Sequence, residues 1–301
     1  MLERDRTVAT RPIIVVAWAA LLFASPPLLA VITRFVPNIF TSQILQAALI
    51  GGILLMVFSR TELKPLRLFV GLVFAWVLGY LVVAGIYSTS LWLDYRRQAP
   101  TYQWVMIDSL VQAIPTLMML GLAVLSGLRR RELFLVRGDL SARARAGMLG
   151  GLEWRRLIVP VGMGWAAISG IFLVLRLHGG PIAICRLGVA LPVVLLFPIL
   201  NSINEEIRFR NVFLAAGLPV LGASWILWMT SVFFGLAHFG SFLGTSGRGG
   251  SLAGGLLYAG GAGFFGLILG GATLDTKGTF AAWIIHAISD LILILGYVLA
   301  L

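Results

Sequence analysis

The feature that most constrains this chain is a ladder of apolar runs, each close to the roughly 20 residues that an α-helix needs to cross a hydrocarbon core. They fall near residues 13–33, 43–59, 66–87, 104–127, 157–176, 186–216, 222–240, 252–272 and 279–300. Only helices and closed barrels satisfy every backbone polar group in lipid. Barrel strands alternate apolar and polar residues, and these runs do not. The expected class is therefore all-α: a polytopic transmembrane helical bundle with eight or nine spans. The second run is short, and the sixth is long and carries Pro192 and Pro198. Composition excludes an ordinary soluble domain, since 59% of residues are hydrophobic, only 12% are charged and the mean hydropathy is +0.97.

No hydrophilic segment is long enough to fold separately, so a single integral membrane domain is expected. Its internal boundary falls at the basic connection 128–156. Residues 1–156 then supply N-terminal transmembrane helices and a basic cytoplasmic loop, and residues 157–301 supply the C-terminal helices. The formal charge of +11 does not suggest nucleic acid, because the arginines cluster in short connections. Arg60, Lys64 and Arg67 mark one inner connection, and Arg129, Arg130, Arg131, Arg137, Arg143, Arg145, Arg155 and Arg156 mark another. The outer connections carry far less, with Arg34 in one and Arg96 and Arg97 against Asp94 in another, which places the N-terminus inside. The basic start with Arg4, Arg6 and Arg11 leads into a run that continues past Pro26 and Pro27, so it reads as a retained first span.

Connection 128–156 admits two readings. It is an interfacial helix that dips Leu133, Phe134, Leu135 and Leu140 into lipid, or a solvated loop. Tyr87, Trp92, Tyr95, Tyr102 and Trp104 read as an aromatic belt at the opposite interface. The many glycines between Gly235 and Gly278 read as helix-packing contacts. Residues 244–250 follow no strand and lack a phosphate-loop Lys, so no nucleotide site is expected there. Cys185 has no cysteine partner and is not read as a nucleophile, and His178, beside Gly179, Gly180 and Pro181, reads as a surface residue.

Charge inside an apolar run is costly, and ionisable groups there face a protein interior or a wet cavity. Asn204 to Arg210 reads N-E-E-I-R-F-R, and two of the three histidines, His238 and His286, also lie in apolar runs. Helical spacing pairs Glu206 with Arg210, four residues apart, and leaves Glu205 free to face a cavity as a general base. Arg208 reads as a snorkelling lipid contact. Phe234 and His238 share a face, as do His286 and Asp290. Asp290 either accepts a hydrogen bond from His286 and sets its tautomer, or lines a pocket with it. Counted along straight spans, Glu205 and His286 lie about midway, while His238 falls nearer the outer side. A tilted or re-entrant seventh segment would close that gap.

These residues fit E-E-x-x-x-R (Glu205, Glu206, Arg210), F-x-x-x-H (Phe234, His238) and H-x-x-x-N/D (His286, Asp290). In that order, and with the words F-F-G-L-A-H and I-I-H-A-I-S-D, they resemble the three motifs of the CPBP family. That family comprises the CAAX proteases and bacteriocin-processing enzymes and includes the type II CAAX prenyl endopeptidases. The likeness spans roughly residues 185–301. Asn211 stands where many relatives carry Gly, and Asp290 where the eukaryotic prenyl proteases carry Asn.

The resemblance implies an intramembrane endopeptidase acting near the membrane surface. Glu205 would activate a water with His238, Glu206 and Arg210 would brace the site, and His286 with Asp290 would stabilise the oxyanion. No cofactor is required in that reading. A zinc ion held by Glu205, His238 and His286 is the alternative, since family members are often termed metalloproteases. The expected partners are membrane lipid and a membrane-associated peptide or lipidated protein substrate, with no nucleic acid. The expected location is a prokaryotic inner membrane. Two other classes stay open: a non-catalytic adaptor or immunity-type protein of the same fold, and a transporter that uses the buried acids and histidines as a proton relay.

Overall fold

In a computed structural model of the chain, residues 9–145, 150–177, 186–244 and 252–299 are described. His178, Cys185 and most of the 244–250 glycine stretch lie outside them. Every regular element among the described residues is helical. Six helical stretches are long and apolar enough to cross a membrane: Ile39–Ser59, Thr61–Tyr87, Thr101–Leu125, Leu187–Leu221, Leu252–Thr276 and Phe280–Leu299. The pair Arg11–Ala24 and Pro26–Phe35, bent by 57°, makes a seventh if it is counted as one span. The helices Trp154–Leu177 and Ala223–Gly244 cover the two remaining predicted runs.

The bend in the first run has a local cause and a distant remedy. Pro26 and Pro27 lack the N–H groups that would bond the carbonyls of the preceding turn. Gln46, buried on α3 (Ile39–Ser59), donates from Nε2 to the Phe23 and Ser25 carbonyls at 2.9 and 3.1 Å. A side chain from the second run thus satisfies the break in the first.

Four elements converge on the charged motif. Helix α9 (Arg186–Glu206) ends on the two glutamates and passes into a π-helical turn over Ile207–Val212, and α10 (Phe213–Leu221) continues the run. Winding with i→i+5 bonds inserts a residue into the helical ladder, a device found often at functional sites. Here it brings five successive side chains, Arg208 to Val212, inside the protein. Arg208 faces α4 (Arg67–Tyr87) and donates to Tyr80 Oη at 2.8 Å, with its guanidinium 5.2 Å from the Trp76 ring. It is not a snorkelling lipid contact. A partner helix supplies a phenol and an indole face, which replace the water that snorkelling would seek.

Helix α11 (Ala223–Gly244) packs along α12 (Leu252–Thr276) with backbones nearly touching at Gly235. A Cβ there would lie 2.4 Å from the Ala259 carbonyl oxygen and 3.1 Å from Gly263 Cα. The glycines of this region therefore set helix separation.

The basic connection is neither an interfacial helix nor a free loop. Leu133 and Phe134 are buried, and Leu135 and Leu140 pack against the same core, so these side chains turn into the protein instead of lipid. Backbone pairing holds the strap to the turn between α12 and α13 (Phe280–Leu299). Thr279 N–H donates to the Phe134 and Val136 carbonyls at 3.0 and 3.1 Å, and Asp139 N–H donates to Thr276 O at 2.7 Å. Gly138, at φ +76°, touches the Gly278 backbone, which no side chain would permit. Asp275 anchors the far end by accepting from Trp154 Nε1 at 3.2 Å and pairing with Arg145 at 2.8 Å.

Candidate active site

Glu205 and Glu206 are adjacent on α9 and so point to different partners. Glu206 is fully buried. Its Oε1 lies 2.7 Å from His286 Nδ1 and 3.2 Å from Arg210 Nη1, the latter without hydrogen-bond alignment. The Arg210 guanidinium sits 3.8 Å above the Phe234 ring, so this buried cation is held by a carboxylate and a π face. The same Phe234 ring packs against His238 with centroids 4.4 Å apart. Phe265 on α12 meets His286 edge-on at 5.5 Å.

Hydrogen-bond partners settle how the two rings are presented. His238 Nδ1 is 2.8 Å from the Phe234 carbonyl, which can only accept, so Nδ1 carries the proton and Nε2 of the neutral ring is an acceptor. His286 Nδ1–H donates to Glu206, which turns its Nε2 outward. Both Nε2 atoms lie 3.6 Å from the same oxygen, Glu205 Oε2, and that oxygen has no hydrogen-bond partner. A separation of 3.6 Å is just too long for a direct bond. Exposure is graded: the His238 and Glu205 side chains retain 22% and 12%, against 0% for Glu206. Glu205 is the more exposed of the two adjacent glutamates, although its Oε2 is itself buried.

The six residues singled out in the sequence thus come together. His238 is not displaced outward, since its Nε2 lies 3.6 Å from Glu205 Oε2. The tautomer of His286 is set by Glu206 and not by Asp290. Asp290 Oδ1 is 3.8 Å from Nε2, beyond hydrogen-bond length, because the ring turns Nδ1 toward α9. Asp290 Oδ2 instead accepts from Asn201 Nδ2 at 3.0 Å. Asn211, the residue after Arg210, accepts from Thr279 Oγ1 at 3.0 Å and so ties the π turn to the base of α13.

Several polar residues here carried no motif. Asn201 stands one helical turn before Glu205 on the same apolar helix, a spacing that was legible. Asp108 and Gln112 lie inside the 104–127 run, where a lone acid was a signal. Gln112 Nε2 donates to Asp108 Oδ2 at 2.7 Å, Tyr87 donates to Oδ1, and Tyr80 joins the chain to Arg208. Among the described residues, no group of three or more His, Cys, Asp and Glu side chains takes the spacing that holds a metal ion. The zinc set Glu205, His238 and His286 has suitable donor types without that spacing.

A chain built almost wholly of long apolar helices, with ionisable side chains gathered inside them, is an integral multi-pass membrane protein. Residues 187–292 match the family model described as Type II CAAX prenyl endopeptidase Rce1-like, and this match supports the CPBP, or CAAX protease, family for the chain. The matched segment contains all three motifs and the helices that carry them. No curated protein and no solved structure matches the chain.

Proposed function

We propose that the protein is an intramembrane endopeptidase in which Glu205 activates a water. The observation that carries this reading is the meeting of two acceptors, Glu205 Oε2 and His238 Nε2, at 3.6 Å on the two most exposed side chains of the cluster. A water between them donates a hydrogen to each and leaves its lone pairs free to attack. Its oxygen bonds to the peptide carbonyl carbon as Glu205 takes a proton. His286, with Nδ1–H held by Glu206, takes part as the imidazolium, protonated from solvent beforehand, and its Nε2–H hydrogen-bonds the developing oxyanion beside Asp290 without leaving the ring. Collapse breaks the C–N bond, and the proton on Glu205 passes to the leaving amine. Glu206 and Arg210 act by holding His286 and Phe234 in place.

The substrate in this reading is a membrane-associated peptide or lipidated protein, cut near the membrane surface. The family supports a CAAX-type protease, and prenylation of the substrate is part of the proposal. So are a prokaryotic inner membrane, the inside N-terminus, and a count of eight or nine spans that includes Trp154–Leu177, Ala223–Gly244 and the bent pair.

The deciding experiment reconstitutes the purified protein in lipid with prenylated and unprenylated CAAX peptides, measures the metal content of the same sample, and repeats the assay with Glu205→Gln. Cleavage by the parent and none by the folded variant supports the reading. Activity that tracks stoichiometric zinc and disappears with chelation would replace the glutamate–water mechanism by the metal alternative. A folded parent that cleaves no peptide leaves the adaptor and the transporter as the classes to test.

A further inference from the structure

Asn201 belongs to none of the three motifs, yet its side chain hydrogen-bonds two of the three carboxylates of the cluster. Its Nδ2 lies 3.0 Å from Asp290 Oδ2 on α13 and a longer 3.4 Å from Glu205 Oε1 on its own helix. Its Oδ1 accepts from Ser109 Oγ at 3.1 Å on α6 (Thr101–Val111). The hydroxyl and the carboxylates together fix which way the amide faces. The oxygen meets the donor Ser109, and the NH2 group, with two hydrogens, meets two acceptors. With the amide reversed, an oxygen would face two carboxylates.

The consequence for Glu205 is an asymmetry between its two oxygens. Oε1 is tied to Asn201, while Oε2 points at the Nε2 atoms of His238 and His286 and is without a partner. A carboxylate that rotates freely presents either oxygen, and a base must present one in a set direction. The donor also sits between two acids whose other shared neighbour, His286 Nε2, lies 3.6 and 3.8 Å away, beyond hydrogen-bond length.

We infer that Asn201, oriented by Ser109, is a positioning residue: it clamps Glu205 and Asp290 and thereby presents Glu205 Oε2 to the attacking water. This rests on the peptidase reading and adds a residue from outside the motifs, supported by a helix of the N-terminal half.

The test uses the full chain in lipid and compares Asn201→Asp, Asn201→Leu, Ser109→Ala and the exchange Asn201→Asp with Asp290→Asn. Asn201→Asp keeps shape and loses both donors, so kcat is expected to fall about 10- to 100-fold with little change in KM, the size usual for residues that orient a reacting group. Ser109→Ala, a mild change on a neighbouring helix, should lower kcat by roughly 3- to 10-fold. The exchange variant restores one amide facing one carboxylate and should recover part of the loss, which a packing role would not produce. Wild-type kcat in folded Asn201→Asp, or equal effects on kcat and KM in every variant, overturns the assignment while the peptidase reading stands. A parent that cleaves nothing overturns both.

Discussion

Two polar clusters are buried among these helices, and they differ in how their hydrogen bonds close. Around Arg208, donors and acceptors alternate: Arg208 to Tyr80, Tyr80 to Gln112, and Gln112 and Tyr87 to Asp108. Arg208 Nε is buried in that chain without a partner. Around Glu205, acceptors face one another: a free carboxylate oxygen and the Nε2 of His238 meet beyond direct bonding distance. A closed network holds helices together, whereas converging unpaired groups on partly exposed side chains are arranged for something that arrives. Charge inside the apolar runs was a signal common to both clusters, and only the pairing separates them.

The largest test of that distinction is Glu205→Gln, which should lower peptide cleavage by about a thousandfold, equivalent to roughly 4 kcal/mol of transition-state stabilisation, without changing the unfolding midpoint. His238→Ala and His286→Ala should each cost about a hundredfold or more in the same assay. Retained cleavage in any of the three would remove that residue from the mechanism.

Next in size is Arg210→Met. It leaves the fully buried Glu206 without its cation and with only the His286 hydrogen bond, and should cost about 3–5 kcal/mol, read as a lower unfolding temperature in detergent. Arg208→Met breaks the closed cluster. We expect it to cost about 1–3 kcal/mol of stability, with activity per folded molecule kept within about threefold. Loss of activity in folded Arg208→Met would erase the contrast between the clusters.

The smallest effect concerns the basic strap. Hydrogen bonds from Ser141 hold the Asp139 carboxyl below its usual range, and Arg155 does the same for Glu153. A depressed folded value means that these contacts contribute fully above the ordinary carboxylate range and are lost as pH falls through the lowered one. Amide-exchange protection at Ser141, whose N–H donates to Asp139 at 2.9 Å, should hold at neutral pH and decline below about pH 4. Protection unchanged at pH 2 would show that backbone pairing alone holds the strap.

Much of this was legible along the chain because membrane helices announce themselves by length and apolarity, and because residues four apart share a face. The helical class, the Glu206–Arg210 pair and the packing of Phe234 on His238 follow from those local rules. Arg208 was misread for a related reason. An arginine near the end of an apolar run looks the same whether it reaches for water or for a tyrosine on another helix.

The helices, the three runs that carry the acids and imidazoles, and the residues sharing a helical face can be read along the chain, since each depends on spacing within one segment. Packing between segments is what turns His286 Nδ1 to Glu206, sets Asn201 against Glu205 and Asp290, and folds the strap onto the base of α13. Those choices depend on how each helix is rotated and how closely it approaches its neighbours. That rotation is set by a π turn after Glu206 and by backbone contact at Gly235 and Gly138, through interactions between residues far apart in the chain.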